Sequence, residues 1–141
     1  VLSICTTPAN DDCEAMFYYD SSLYVISKNR GKSNYANLYQ LKDTVGKQSV
    51  YPIGSGFFES MVTAADVSPD GTKIVVLTYG FVYMFELMDG NVSLDYPLSC
   101  TSFKACGQCE AIKFINNTDY LITNEGGDVF EGRPVKKKKE K

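Results

Sequence analysis

Two segments of this chain are versions of each other: Cys13-Glu14-Ala15-Met16-Phe17-Tyr18 and, 96 residues on, Cys109-Glu110-Ala111-Ile112-Lys113-Phe114. In both, the Glu is followed thirteen residues later by a small hydroxyl residue, Ser27 or Thr123, that closes an apolar run. Those runs, Leu23-Tyr24-Val25-Ile26 and Tyr120-Leu121-Ile122, are rich in the branched and aromatic residues that favour strands. Midway between them lies a third relative, Ala64-Ala65-Asp66-Val67-Ser68-Pro69-Asp70-Gly71, followed by Lys73-Ile74-Val75-Val76-Leu77-Thr78. Three copies at half that spacing, about 48 residues, mark a repeat architecture in which each unit buries its apolar faces against its neighbours. A strand-rich unit of that size is a propeller blade, so the expected fold class is all-β: a partial β-propeller of about three four-stranded antiparallel blades.

The alternating runs divide residues 1–134 into an outer strand (1–5), one blade (6–53), a second blade (54–98) and a partial blade (99–134). Within the first blade the expected strands are Glu14–Tyr19, Leu23–Lys28, Tyr35–Lys42 and Ser49–Ile53, by period-two alternation. The second is expected to use Thr63–Val67, Lys73–Tyr79, Val82–Leu87 and Val92–Tyr96, with turns at Ser68-Pro69-Asp70-Gly71, Tyr79-Gly80 and Asp89-Gly90. Glu110–Ile115, Tyr120–Asn124 and Asp128–Phe130 form the third. Known propellers close with four to eight blades, so this count reads as a fragment of a larger ring whose remaining blades are its first partners. The chain also opens on Val1 rather than Met, which puts its natural start upstream.

Residues 135–141 form a lysine-rich tail that reads as a solvated extension, a nuclear localisation run or a dilysine retrieval signal. Its five lysines and one glutamate mask the charge of the rest: the chain is −3 overall, but without Lys136–Lys141 nine basic residues face sixteen acidic ones, a net −7. Such a body repels phosphate backbones, so nucleic acid is not an expected partner. No apolar run approaches the length of a membrane span. Histidine is absent, which excludes Ser-His-Asp and Cys-His catalysis within the chain and every His-ligated metal site.

Asp12-Cys13-Glu14-Ala15 with Leu23–Lys28, then Val62–Gly71, then Cys109-Glu110-Ala111-Ile112 followed by Tyr120–Gly126, resemble the motifs of a family of largely uncharacterised secreted β-propeller proteins. That family is found in bacteria and marine invertebrates and is distantly similar to phytase-like and esterase-like propellers. The resemblance spans roughly residues 10–130 and implies the C-terminal half of such a propeller. One departure stands out: the family tends to have Arg-Thr-Tyr where this chain has Leu77-Thr78-Tyr79, so a channel-facing cation is missing at Leu77.

Glu14 and Glu110 occupy the same place at the start of an innermost strand, which in a propeller borders the central channel. Counting back from Thr78 puts Ala65 in the middle copy's slot, with Asp66 beside it. Carboxylates converging on a channel mouth can hold Ca²⁺, anchor a cationic substrate or serve acid–base hydrolysis. The plainer alternative is that each Glu hydrogen-bonds the neighbouring blade and repeats because the blade repeats.

The cysteines form a second constellation. Cys5 and Cys13 flank one link between blades, and Cys100 and Cys109 flank the equivalent link two blades on, so repeat equivalence pairs Cys5 with Cys13 and Cys100 with Cys109. Cys106 is then left over, or displaces Cys109. Cys106-Gly107-Gln108-Cys109 is also a CxxC, and free thiols, zinc or redox chemistry remain open. Disulfides place the chain in an oxidising compartment, secreted or in the lumen of the endoplasmic reticulum, and the sequons at Asn91 and Asn116 agree. The resulting expectation is a binding module with an unknown protein or small-molecule ligand at the channel mouth, Ca²⁺ being the one cofactor considered. The alternatives are a phytase-like or esterase-like hydrolase, which the resemblance implies, and an intracellular interaction scaffold with reduced cysteines.

Overall fold

The computed structural model describes the backbone of residues 5–6 and the whole of residues 11–30, 33–104 and 106–134. Lysine tail 135–141 and most of the expected outer strand 1–5 lie outside the described residues. Among those described there is no helix. A short strand β1 (Cys5–Thr6) runs parallel to β5 (Gln48–Ser49). The remaining strands form three antiparallel sheets, each ordered as a meander. The first holds β2 (Cys13–Tyr19), β3 (Ser22–Ser27), β4 (Tyr35–Lys42) and β6 (Gly54–Phe57). The second holds β7 (Val62–Val67), β8 (Lys73–Thr78), β9 (Phe81–Glu86) and β10 (Ser99–Ser102). The third holds β11 (Cys109–Phe114), β12 (Tyr120–Asn124) and β13 (Val129–Gly132). The first strands of the three sheets lie together, β2 and β11 both packing against β7.

The three opening hairpins correspond more closely in backbone register than in sequence. Each first strand carries a β-bulge at its second residue, between Cys13 and Ala15, Val62 and Ala64, and Cys109 and Ala111. The bulged residues are therefore Glu14, Thr63 and Glu110. From each bulge the strand runs five residues to the mouth of its hairpin, at Tyr19, Ser68 and Ile115. The return strands are again matched, Ser22 to Ser27, Lys73 to Thr78 and Asp119 to Asn124. Only the loops differ: two residues (Asp20-Ser21), four (Pro69 to Thr72) and three (Asn116 to Thr118). A count along the chain absorbs those differences as if they were register. That is why it put Ala65 where the structure has Thr63.

Packing follows from this register because side chains alternate faces along a strand. The second sheet is apolar on both sides. Ile74, Val76, Tyr83 and Phe85 pack toward the first sheet, against Phe17, Tyr24, Ile26, Leu38 and Phe58. Val75, Leu77, Val82 and Met84 pack toward the third, against Ile112, Phe114, Tyr120 and Ile122. Two sandwiched cores thus share one sheet, and burial of these side chains is the main stabilising term.

The fourth strands differ from those expected. Ser49–Ile53 is not the last strand of the first sheet; Gly54–Phe57 pairs with β4 instead. Likewise Ser99–Ser102, not Val92–Tyr96, pairs with β9. Pro52 interrupts the first expected strand and has no amide to donate. In the second, Leu94 turns inward to plug the first core. The strand Gly54-Ser55-Gly56-Phe57 has low intrinsic β propensity and exists because of what it must lie against. A β-carbon on Gly56 would sit 2.7 Å from Leu94 Cβ and 2.9 Å from the Leu94 carbonyl oxygen. Gly56→Ala is accordingly expected to cost about 2 kcal/mol through overpacking, read as a lower urea midpoint at unchanged slope.

Candidate functional site

The bulge ends of the first strands bring three sequence-distant segments together. Immediately after each second strand, one amide closes back onto the residue before the first strand: Lys28 onto Asp12 (2.6 Å), Tyr79 onto Met61 (3.2 Å) and Glu125 onto Gln108 (3.1 Å). Lys28, Tyr79 and Glu125 are thus structural equivalents. Each lies near the bulge residue of its own sheet, and two of them reach across to the next.

Lys28 Nζ donates to Glu14 Oε2 at 2.7 Å and to the Tyr79 hydroxyl at 3.4 Å. The Tyr79 hydroxyl in turn donates to Glu110 Oε1 at 2.8 Å. Lys28 Nζ also lies 5.4 Å from the centre of the Tyr79 ring, in cation–π range. On the solvent side, Arg30 Nε donates to Asp12 Oδ2 at 2.6 Å, and Arg30 Nη2 stands 3.8 Å from Glu14 Oε1. A continuous chain of polar contacts therefore runs Asp12–Arg30–Glu14–Lys28–Tyr79–Glu110 across all three sheets. Only 6% of the Lys28 side chain is exposed. Burial alone pulls its pKa down, but the hydrogen bonds to Glu14 and Tyr79 and the charge of Glu14 outweigh it, so the ammonium is held charged above its usual range. Tyr79 is likewise raised, first by burial and then by its bond to Glu110.

Glu14 and Glu110 therefore share one site, but through Lys28 and Tyr79 rather than around an ion. Thr63, the bulge residue of the second sheet, is buried and donates to the Cys109 carbonyl oxygen at 2.7 Å. Asp66 does not join them. Its carboxylate accepts from the Phe114 amide at 2.8 Å and from Lys113 Nζ at 3.0 Å, tying β7 to β11 further along the strands. Among the described residues no three Asp, Glu or Cys side chains gather around a position a metal could take. Glu14, Asp66 and Glu110 thus do not converge on one point: Glu14 and Glu110 meet Lys28 and Tyr79, and Asp66 meets Phe114 and Lys113.

A second clamp, also not foreseen from the sequence, is the buried Asn29. Its side-chain amide donates to the Phe58 and Ser60 carbonyls (3.3 and 3.1 Å), and its oxygen accepts from the Val62 amide at 2.9 Å. Lys28 and Asn29 directly follow the repeated hydroxyl residue Ser27, and Tyr79 directly follows Thr78. That adjacency was the signal available in the sequence.

The cysteines are arranged differently from the repeat-based pairing. The sulfurs of Cys106 and Cys109 lie at bonding distance, their Cα atoms 6.0 Å apart across a turn with Gly107 at φ +63°. Cys109 opens β11 fully buried, whereas Cys100 lies on β10 opposite Tyr83 with an exposed free thiol. The expected Cys100–Cys109 pair is therefore replaced by the shorter link, which takes both CxxC sulfurs out of a zinc knuckle. Cys13 carries a free thiol that donates to the Asp11 carbonyl at 3.6 Å. Burial, then the charges of Asp11 and Asp12, push its pKa up to about 11. The side chain of its expected partner Cys5 lies outside the described residues. Asn91 and Asn116 are both exposed, and the Asn116 side chain also organises its turn by accepting from the Thr118 and Asp119 amides (2.8 and 2.7 Å).

Burial raises the Cys100 thiol too, but it is exposed, so alkylation of the native protein followed by peptide mapping should find Cys100 modified faster than Cys13, since little of a pKa 11 thiol is thiolate at neutral pH. Cys106 and Cys109 should appear in one linked peptide. Reducing this four-residue loop should cost about 2 kcal/mol of stability by loop-closure entropy.

No known protein family matches the chain, and no curated protein matches it.

Proposed function

We propose that the chain is a segment of a larger β-propeller serving as a binding module in an extracellular or lumenal compartment, with its working rim at the bulge ends of β2, β7 and β11. The observation that carries this reading is the outward face of the first sheet. Met16, Tyr18, Leu23, Val25, Tyr39 and Leu41 stand at the positions that in the second sheet are Ala65, Val67, Ile74, Val76, Tyr83 and Phe85. The second set packs against the first sheet, and five of its third-sheet equivalents, Ile112, Phe114, Tyr120, Ile122 and Phe130, are apolar too. Yet Met16 is 59% and Tyr18 53% exposed, while Tyr39 alone of the six is buried, its hydroxyl donating to Asp11. A face patterned as an interface supports a further sheet lying on it.

Binding suits the rim better than hydrolysis does. A general acid or base needs a carboxylate free to exchange a proton with substrate. Glu14 is held by Lys28 and Glu110 by Tyr79, while Asp12 and Arg30 present exposed charges of both signs. The Cys106–Cys109 pair fits an oxidising compartment, and among the described residues no helix is long and apolar enough to cross a membrane.

The test has two arms. Thermal shift against extracellular glycans, peptides and Ca²⁺ should find a ligand that raises Tm for the parent chain but not for Arg30→Glu. Aryl phosphate and aryl ester substrates should give no turnover. Turnover that depends on Glu110 would replace the binding reading with the hydrolase.

A further inference from the structure

The second inter-sheet core lacks one ring that the first one has. In the second sheet Ile74 pairs across the strands with Phe85, and at the equivalent place in the third sheet Tyr120 pairs with Gly132. Phe85 fills the first core edge-on to Phe58, their centroids 6.1 Å apart, and Phe58 packs edge-on to Tyr83 at 5.0 Å. Gly132 contributes no side chain. The Tyr120 ring lies over it, so a β-carbon there would collide with that ring. What remains is a cleft of about 320 Å³ between β10 and the β12–β13 hairpin, walled by Phe103, Tyr120 and Phe130.

Its charge runs against that of the body. Lys104, Arg133 and Glu131 line the cleft, two cations to one carboxylate. Arg133 Nη2 already meets Glu131 Oε1 at 2.9 Å and its Nε stands 3.7 Å from Asp119 Oδ2, which leaves Lys104 as the exposed lining charge without an ion pair among the described residues. Thr101 adds a hydroxyl to the cleft lining alongside Tyr120. Such a volume is at the small end of ligand pockets, and apolar walls with a few placed polar groups are what such pockets use.

We propose that this cleft binds a small aromatic anion, an aryl carboxylate being the simplest member of the class. Its ring enters the space among Phe103, Tyr120 and Phe130, and its carboxylate turns outward to Lys104. The site is separate from the bulge ends of β2, β7 and β11.

Saturation-transfer NMR with 3-phenylpropionate and with 3-phenylpropylamine, equal in ring and chain length and opposite in charge, tests it directly. The acid should bind the parent chain more tightly than the amine. Lys104→Glu, a change at an exposed position, should weaken the acid by roughly threefold or more, the scale of losing and then opposing one exposed charge, and should favour the amine. Met16→Lys/Tyr18→Lys, which alters a separate exposed apolar surface, should leave both affinities unchanged. Equal binding of acid and amine, an unaltered ratio in Lys104→Glu, or loss of signal in the Met16/Tyr18 variant would each overturn the assignment.

Discussion

Phe58→Ala is expected to lower stability by about 4 kcal/mol, the scale of deleting a fully enclosed ring, and Tm by about 13 °C for a chain this size. Phe58 is 0% exposed and stands between Tyr83 and Phe85, edge-on to both. Its amide donates to the Asn34 carbonyl at 2.8 Å and its carbonyl accepts from Asn29, so the backbone cannot slide in to fill the void. The adjacent residue supplies the control. Phe57 is half exposed and touches only the rim of the sheet, edge-on to Tyr35 at 5.7 Å. Phe57→Ala should cost about 1 kcal/mol or less. Equal losses by calorimetry would contradict the packing described here.

Lys28→Met should cost about 3 kcal/mol. Removing one partner of a buried pair leaves the other charge desolvated, at the lower end of its range here because Glu14 retains partial exposure and has Arg30 nearby. Adding Glu14→Gln should restore part of the loss, giving a coupling energy in a double-mutant cycle that separates the ion pair from the packing of the lysine stem. The pH dependence is also set. The folded-state pKa of Lys28 lies above its ordinary value of 10.5. Its contribution is therefore complete below pH 10.5 and fades as pH rises through the raised folded value. The stability difference between parent and Lys28→Met, measured by urea unfolding, should stay flat from pH 6 to 10 and shrink above that. A difference that instead stayed constant well above pH 11 would show that Lys28 acts through the packing of its stem rather than its charge.

Leu77, where the sequence resemblance marked a missing channel-facing cation, is fully buried in the second core. The cation among the bulge ends is instead Lys28, at the position equivalent to Tyr79, and Tyr79 itself completes the contact to Glu110.

The sequence alone determined the strands whose alternation is strong: β2, β3, β4, β7, β8, β9, β11 and β12 fall where their apolar periodicity puts them, because burying one face against a neighbour dictates that period. It also determined that Glu14 and Glu110 occupy one repeated slot. Elements without a local signal were decided by tertiary structure. Gly54–Phe57 becomes a strand because β4 offers it hydrogen bonds and Leu94 requires a glycine opposite. Thr63 takes the middle slot because the three hairpins differ in loop length, and a count along the chain cannot tell loop from strand. Cys109 pairs with Cys106 because a tight turn brings their Cα atoms to 6.0 Å, while Cys100 is held out on β10. Periodicity reports which face of a strand is buried; it carries no information about which partner lies on that face, and here the partner decided the site.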